Sequence, residues 1–197
     1  MAKKTDLRVK KTLLAIGSAF LDLLDEKPFE KIQINDIAER AMINRGTFYL
    51  HYRDKYDLLD KTQDYLIREI SRLADELTRE EILDAQHHGK PMPHVLQLVE
   101  YVHAHPGLFR LLADQQMDTS FYRKCVECAS VKIEDLFPEL RHNRIQARYG
   151  QSILTAIFKS VINQWIFDGM EETKESIALL ITNAAYQCEK NMLQLMK

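Results

Sequence analysis

A chain of 197 residues, 46% hydrophobic and 28% charged, is long enough to bury a core and does not have the composition of a disordered segment. No apolar run reaches the length that crosses a bilayer, MAKKTDLRVKK lacks a signal-peptide core, and Cys125, Cys128 and Cys188 make no disulfide framework; a cytoplasmic globular protein without a membrane partner is expected. The net charge of −2 hides an asymmetry: residues 1–55 hold eleven Lys and Arg against eight Asp and Glu, with the surplus in Lys3, Lys4, Arg8, Lys10 and Lys11, so the front of the chain suits a polyanion.

Nearly everything reads as helix, about nine in all, which makes the fold class all-α. In the first helix Leu13, Ile16, Gly17, Phe20, Leu21 and Leu24 recur at three- and four-residue steps, and Pro28 ends it near Lys27. NDIAERA forms a short second helix with Ile37, Ala38 and Ala41 inward and with Gln33 and Asn35 at its opening. The brief connection MIN leads to RGTFYLHY, a third helix with Asn44 as its N-cap. Asp54 caps a long fourth helix running to about Arg79, with Leu58, Leu59, Leu66, Ile70, Leu73 and Leu77 as its apolar positions.

HHGKPMP at 87–93 marks a loop, after which Pro93 opens a fifth helix ending near Ala104 and Pro106 a short sixth. A seventh runs from about Thr119 to Phe137. Two long helices, about 142–168 and 173–195, close the chain on either side of Gly169. KIQIN alternates but is too short for a strand and has no partner. Both terminal helices are apolar on more than one side: Ile153, Ala156 and Ile157 form one stripe of the first, and Phe158, Ile162, Trp165 and Ile166 another. Ile177, Leu180, Ile181, Ala184, Cys188 and Met192 continue the pattern in the second. A helix covered on one side needs one stripe. Deep burial could account for two, but the expectation is an added two-fold interface with a second copy.

Two short helices joined by a tight turn make a helix-turn-helix. Ile43, Phe48 and Tyr52 suit the packing face of its second helix, which leaves Arg45, Thr47, Tyr49 and His51 outward. That face is too polar and aromatic for a core and suits the DNA major groove. Arg45 can span a guanine edge, Thr47 can meet a base, and Tyr49, His51 and Lys55 suit phosphates. Gly46 clears the way for close approach, and Gln33 and Asn35 are placed for the flanking backbone.

INDIAERAMINRGTFYLHYRDKYDLL, residues 34–59, resembles the DNA-binding signature of TetR/AcrR-type transcriptional regulators, and the likeness covers about residues 8–60. Met42 stands where that signature usually has a glycine, and Asn44, Tyr52 and Gln33 replace Ser, Phe and Thr. HPGLFRLL and WIFDGMEETKESIALLI resemble, less specifically, a C-terminal type found in many such regulators of Gram-positive bacteria. The resemblance implies a DNA-binding domain over residues 1–55 and an effector-binding and dimerisation domain over 56–197. It also implies a homodimer through the last two helices, double-stranded pseudo-palindromic DNA as partner and an unknown small-molecule effector. The DNA contacts then fall on Gln33, Asn35, Asn44, Arg45, Gly46, Thr47, Tyr49, His51 and Lys55. Candidates for the effector pocket are Tyr101, Phe109, Leu112, Met117, Phe121, Tyr122 and Trp165, each of which also suits an ordinary core. A repressor released by its effector is the expected function; an activator or co-regulator working through a protein partner is the alternative.

No phosphate loop, nucleophile elbow or HExxH motif is present, so no enzyme is expected. His87, His88, His94, His103 and His105 with Cys125 and Cys128 invite a metal or redox reading. The histidines are scattered over a loop and a helix end, however, and cysteines commonly serve as inert packing. No metal or cofactor is therefore expected.

Overall fold

The computed structural model describes residues 2–76, 78–113, 120–136 and 144–194. Among them are ten α-helices, one turn of 3₁₀ helix (Phe29–Lys31) and no strand. The helices are α1 (Ala2–Glu26), α2 (Ile34–Arg40), α3 (Arg45–Tyr49), α4 (Lys55–Asp75), α5 (Arg79–His88), α6 (Pro93–Ala104), α7 (Pro106–Ala113), α8 (Ser120–Leu136), α9 (Arg144–Phe167) and α10 (Lys174–Gln194).

The tenth helix is α5: the sequence reading ends the fourth helix near Arg79 and opens a loop at His87, and assigns no element to the residues between. Thr78 restarts the helix with a reciprocal cap: its Oγ1 accepts from the Glu81 amide at 3.2 Å, and the Glu81 carboxylate accepts from the Thr78 amide at 3.0 Å. Gly89, at φ 60°, then closes α5 in the left-handed conformation that favours glycine. Leu77 and the side chains of Ile70 and Leu73 lie outside the described residues.

The chain divides into two compact units, Met1–Tyr65 with His105–Leu111, and Leu66–Ala104 with Leu112–Lys197. The boundary drawn at residue 55 from the sequence follows the end of the helix-turn-helix, whereas the compact unit runs further along α4 and takes in most of α7. Contact with α1 accounts for the inclusion of α7. The Gly107 amide donates to Asp25 Oδ1 at 2.6 Å, and a Cβ at residue 107 would overlap the Leu24 carbonyl. Only a glycine lets the first turn of α7 lie directly on the backbone at the end of α1. Around this contact the unit buries Ile16, Phe20, Leu23 and Leu24 of α1, together with Leu108 and Phe109 of α7.

In the second unit α10 packs against α9 and α6, and α8 against α9. The α9–α10 corner is a left-handed turn, with Gly169 at φ 83° and Met170 at φ 58°. The Met170 amide donates to Trp165 O at 2.8 Å, and the Trp165 indole N–H donates to Glu172 O at 3.1 Å. Buried Thr182 joins α10 to the segment before α6, since its hydroxyl donates to Ala178 O at 2.8 Å and accepts from the Met92 amide at 3.1 Å. On α9 the stripe of Phe158, Ile162, Trp165 and Ile166 is buried, whereas Ile153 and Ala156 remain exposed. On α10 Ile177 and Ile181 are buried and Leu180 is exposed. Cys188 and Met192 side chains lie outside the described residues.

Candidate nucleic-acid interface

At seven and five residues, α2 and α3 are too short to persist alone, and burial of Ile37, Ala38, Ala41 and Phe48 holds them. Their turn is tied by Ala41 N–H to Ile37 O at 2.9 Å and Ile43 N–H to Ala38 O at 2.9 Å. To make both bonds Met42 takes φ 52°, a left-handed conformation, with its side chain 91% exposed. The residue bears the backbone cost and buries nothing in return. Met42→Gly is expected to stabilise the protein by about 0.5–1 kcal/mol, the left-handed strain relieved less the extra chain entropy of glycine. A urea midpoint that stays put or falls would contradict the strained turn.

Asn44 caps α3 as expected, its Oδ1 accepting from the Gly46 amide at 2.9 Å. Phe48 is fully buried and Tyr52 nearly so, while Ile43 is half-buried. On the opposite face Arg45 and Tyr49 are exposed, and Thr47 and His51 are half-exposed. One turn apart, Arg45 and Tyr49 brace each other: Arg45 Nη2 donates to Tyr49 Oη at 3.1 Å, and the guanidinium lies 5.5 Å from the phenol ring centre. The Tyr49 ring meets Phe48 edge-on at 5.7 Å, so the outward pair rests on the buried one. Gly46 has no positive φ, and a Cβ there would meet only Asn44 Oδ1 at an ordinary 3.6 Å. The fold itself does not require a glycine at this exposed position.

Residues distant in sequence meet beside α3. Gln33, Asn35, Arg45 and Lys55 line one shallow groove of about 380 Å³. Gln33 and Asn35 are exposed there, and the Gln33 amide donates to Asp36 Oδ2 at 2.8 Å. Lys27 Nζ donates to the same Asp36 oxygen at 2.6 Å, and this ammonium, with the Gln33 amide, holds the Asp36 carboxyl below its ordinary range.

Lys55, read from sequence as a phosphate contact, also makes bonds within its own unit. Its Nζ donates to Phe29 O at 2.8 Å, Glu30 O at 3.0 Å and Ile32 O at 3.0 Å, which occupies all three ammonium hydrogens. Nζ also lies 4.6 Å from the centre of the Phe29 ring. Lys55 is a clasp between the start of α4 and the carbonyls around the 3₁₀ turn before α2.

A second clasp, absent from the sequence reading, holds the far end of α3. Lys61 Nζ donates to His51 O at 2.9 Å and to Asp57 Oδ2 at 3.1 Å, and Asp57 Oδ2 also accepts from the Arg53 amide at 2.9 Å. Those bonds, the Arg53 amide foremost, lower the Asp57 carboxyl below its usual range. The four-residue spacing of Asp57 and Lys61 was its only sequence signal. Asp54 caps α4 as expected, accepting from the amides of Tyr56 at 2.9 Å and Asp57 at 2.8 Å.

The residues nominated for an effector pocket fall in both compact units. Phe109 belongs to the N-terminal unit, and Tyr101, Leu112, Phe121, Tyr122 and Trp165 to the other; Met117 lies outside the described residues. Phe121 and Tyr122 are buried with ring centres 5.5 Å apart, and Tyr122 Oη donates to Asn163 Oδ1 at 3.4 Å. Trp165 instead serves the α9–α10 corner, with His103 at 5.9 Å. Side chains of Cys125, Cys128 and His87 lie outside the described residues. Burial depresses His94 to a pKa of about 4, so its imidazole is neutral at physiological pH.

A capped, short second helix braced on the first, with an arginine and a tyrosine on its free face, defines a helix-turn-helix DNA-binding protein. Residues 17–62 match the family model for bacterial regulatory proteins of the tetR family, and residues 89–187 match a transcriptional regulator C-terminal region. The chain belongs to the TetR family of bacterial transcriptional regulators. An uncharacterised HTH-type transcriptional regulator of Bacillus subtilis (strain 168), YxbF, is 42% identical over 77 residues, 39% of this chain; the match spans 20% of that relative's length.

Solved structures share the fold. The dihydroxyacetone kinase operon activator DhaS is 16% identical with a TM-score of 0.64, over 91% of this chain and 97% of that one. A TetR regulator from Streptococcus agalactiae 2603V is 22% identical with a TM-score of 0.57, over 94% and 99% of the two chains. A regulator from Aquifex aeolicus VF5 is 16% identical with a TM-score of 0.61, over 90% and 99%. Among the described residues no helix is long and apolar enough to cross a membrane, and no three potential metal-ligating residues cluster.

Proposed function

We propose that the protein is a homodimeric repressor that sets the two copies of α3 into successive major grooves of a pseudo-palindromic operator and is released by a small molecule. The braced Arg45–Tyr49 pair carries this reading. Arg45 is held against Tyr49 on the free face of α3, so less side-chain freedom is lost when its fork meets a guanine edge. Gly46, which the fold does not demand, supports the same reading, because a bare backbone lets α3 approach the duplex closely. Asn44, Thr47, His51, Gln33 and Asn35 complete the contact surface.

Dimerisation through α9 and α10 is supported by the apolar side chains that the monomer leaves uncovered there, Ile153 and Tyr149 on one helix and Leu180 on the other. The two α3 helices must then stand about 34–36 Å apart, one turn of DNA. The effector is placed among Tyr101, Leu112, Phe121 and Tyr122 of the C-terminal unit. A differential affinity of about 1–3 kcal/mol between DNA-competent and released states is enough to change operator occupancy.

The test uses a duplex recovered from a randomised pool by the full-length protein. Arg45→Ala is expected to weaken binding to it by about 1–3 kcal/mol and to relax the base preference at one position in each half-site, with dimer mass and helicity unchanged. Binding equal to wild type would remove α3 from the interface. Deleting the gene should raise expression of the target promoter; a fall would make the protein an activator.

A further inference from the structure

Two half-buried lysines of the N-terminal unit have their ammonium groups spoken for. Lys27 donates to Asp36 at 2.6 Å, and Lys55 donates to three backbone carbonyls. Lys159, on α9, is half-buried as well. Among the described residues no carboxylate, carbonyl or hydroxyl accepts from its Nζ, which instead lies 5.7 Å from the centre of the Tyr122 ring.

Asn163 stands four residues further along the same face of α9. Its Oδ1 accepts from the Tyr122 hydroxyl over a long 3.4 Å, and the two hydrogens on Nδ2 have no acceptor among the described residues. Tyr122, near the start of α8, is 1% exposed. Its ring meets Phe121 edge-on at 5.5 Å and Phe158 at 6.2 Å. All of these residues belong to one compact unit, in which α8 packs on α9.

The cluster is rich in donors and short of acceptors. An ammonium drawn half out of water loses hydration, and a ring face returns only part of it. A partner of opposite charge returns more. One cation beside one neutral amide matches a monoanion with two acceptor oxygens, whereas a phosphate dianion calls for more positive charge. The aromatic rings beside the donors suit an apolar body attached to that anion.

We propose that Lys159 and Asn163 hold the carboxylate of a small acid with an apolar body, Lys159 Nζ and Asn163 Nδ2 donating to its oxygens beside the Tyr122 ring. This names the chemical class of the effector placed against Phe121 and Tyr122, and it rests on that reading.

The experiment titrates full-length wild type, K159M, K159R and N163A by calorimetry. The probes are the sodium salts of benzoic acid and of straight-chain acids from acetate to octanoate, their primary amides, the corresponding amines, and inorganic phosphate. Wild type is expected to bind at least one acid about tenfold or more tightly than its amide, because a hydrogen bond to a charged group outweighs a neutral one. K159M should lose that preference and K159R should keep most of it. N163A should weaken acid binding by about three- to tenfold.

Stability is an independent readout. Lys159 makes no stabilising bond to a described residue, so K159M should unfold at a urea concentration equal to or above that of wild type. A marked fall in both K159M and K159Q would make Lys159 a structural residue and overturn the proposal. So would an acid preference retained in K159M, equal affinity of wild type for acids and amides, or tighter binding of phosphate. Weaker dimerisation of K159M would assign the ammonium to a second copy and overturn it too. An acid that binds wild type selectively but leaves operator affinity unchanged upholds the site and strikes only the release by effector.

Discussion

Replacing Gly107 with alanine is expected to destabilise the N-terminal unit by about 2–4 kcal/mol, although alanine is the better helix former by about 1 kcal/mol. The Cβ would overlap the Leu24 carbonyl and lie 2.7 Å from the Asp25 nitrogen. Those atoms are backbone at the end of α1 and cannot rotate aside. Either α7 lifts from α1, losing the bond from the Gly107 amide to Asp25 and uncovering Leu108 and Phe109, or the last turn of α1 distorts.

Distortion there also reaches the ion pairs that the end of α1 and the residue after it make with α2, Glu26 with Arg40 at 2.7 Å and Lys27 with Asp36 at 2.6 Å. Urea unfolding followed by circular dichroism measures the loss, and operator affinity should fall with it. Asp25→Ala removes the cap without the clash and should cost about 1 kcal/mol. A more stable Gly107→Ala protein would mean that α7 does not rest on the α1 backbone.

Local chemistry made much of the N-terminal unit legible in the sequence. Asn44 and Asp54 cap amides two or three residues ahead, and the burial of Ile37, Ala38 and Phe48 follows helical spacing. The outward setting of Arg45 and Tyr49 follows from the same spacing, once Phe48 is assigned to the core. The start of α5 was also written locally, in Thr78 and Glu81, but the apolar run of α4 ahead of it masked the break. Other features depend on partners that no periodicity announces. Gly107 looks like a routine residue after Pro106 until the Leu24 carbonyl is brought against it. Met42 takes its left-handed conformation because α2 and α3 both bond across it, a demand of the turn and not of methionine.

Lys55 sets the sharpest contrast between a sequence reading and a spatial one, and a single substitution separates the two. A lysine at the start of α4 beside a recognition helix is placed for a phosphate, yet its ammonium donates to three carbonyls that lie 23 to 26 residues earlier. Lys55→Met keeps an unbranched apolar side chain of similar length and removes the charged donor, with its approach to the Phe29 and Tyr56 rings. Hydrogen bonds from a charged donor contribute more than neutral ones, and water can replace part of the loss at the more exposed Glu30 carbonyl. The expected cost is about 1.5–3 kcal/mol of stability, measured by urea unfolding without any DNA present.

Operator affinity should fall because the 3₁₀ turn and the opening of α2, with Gln33 and Asn35, are no longer pinned beside α3. The log–log salt slope should stay that of wild type, since no phosphate contact is removed. A stable Lys55→Met protein whose slope drops by about 0.9 per protomer would instead return Lys55 to the phosphate backbone.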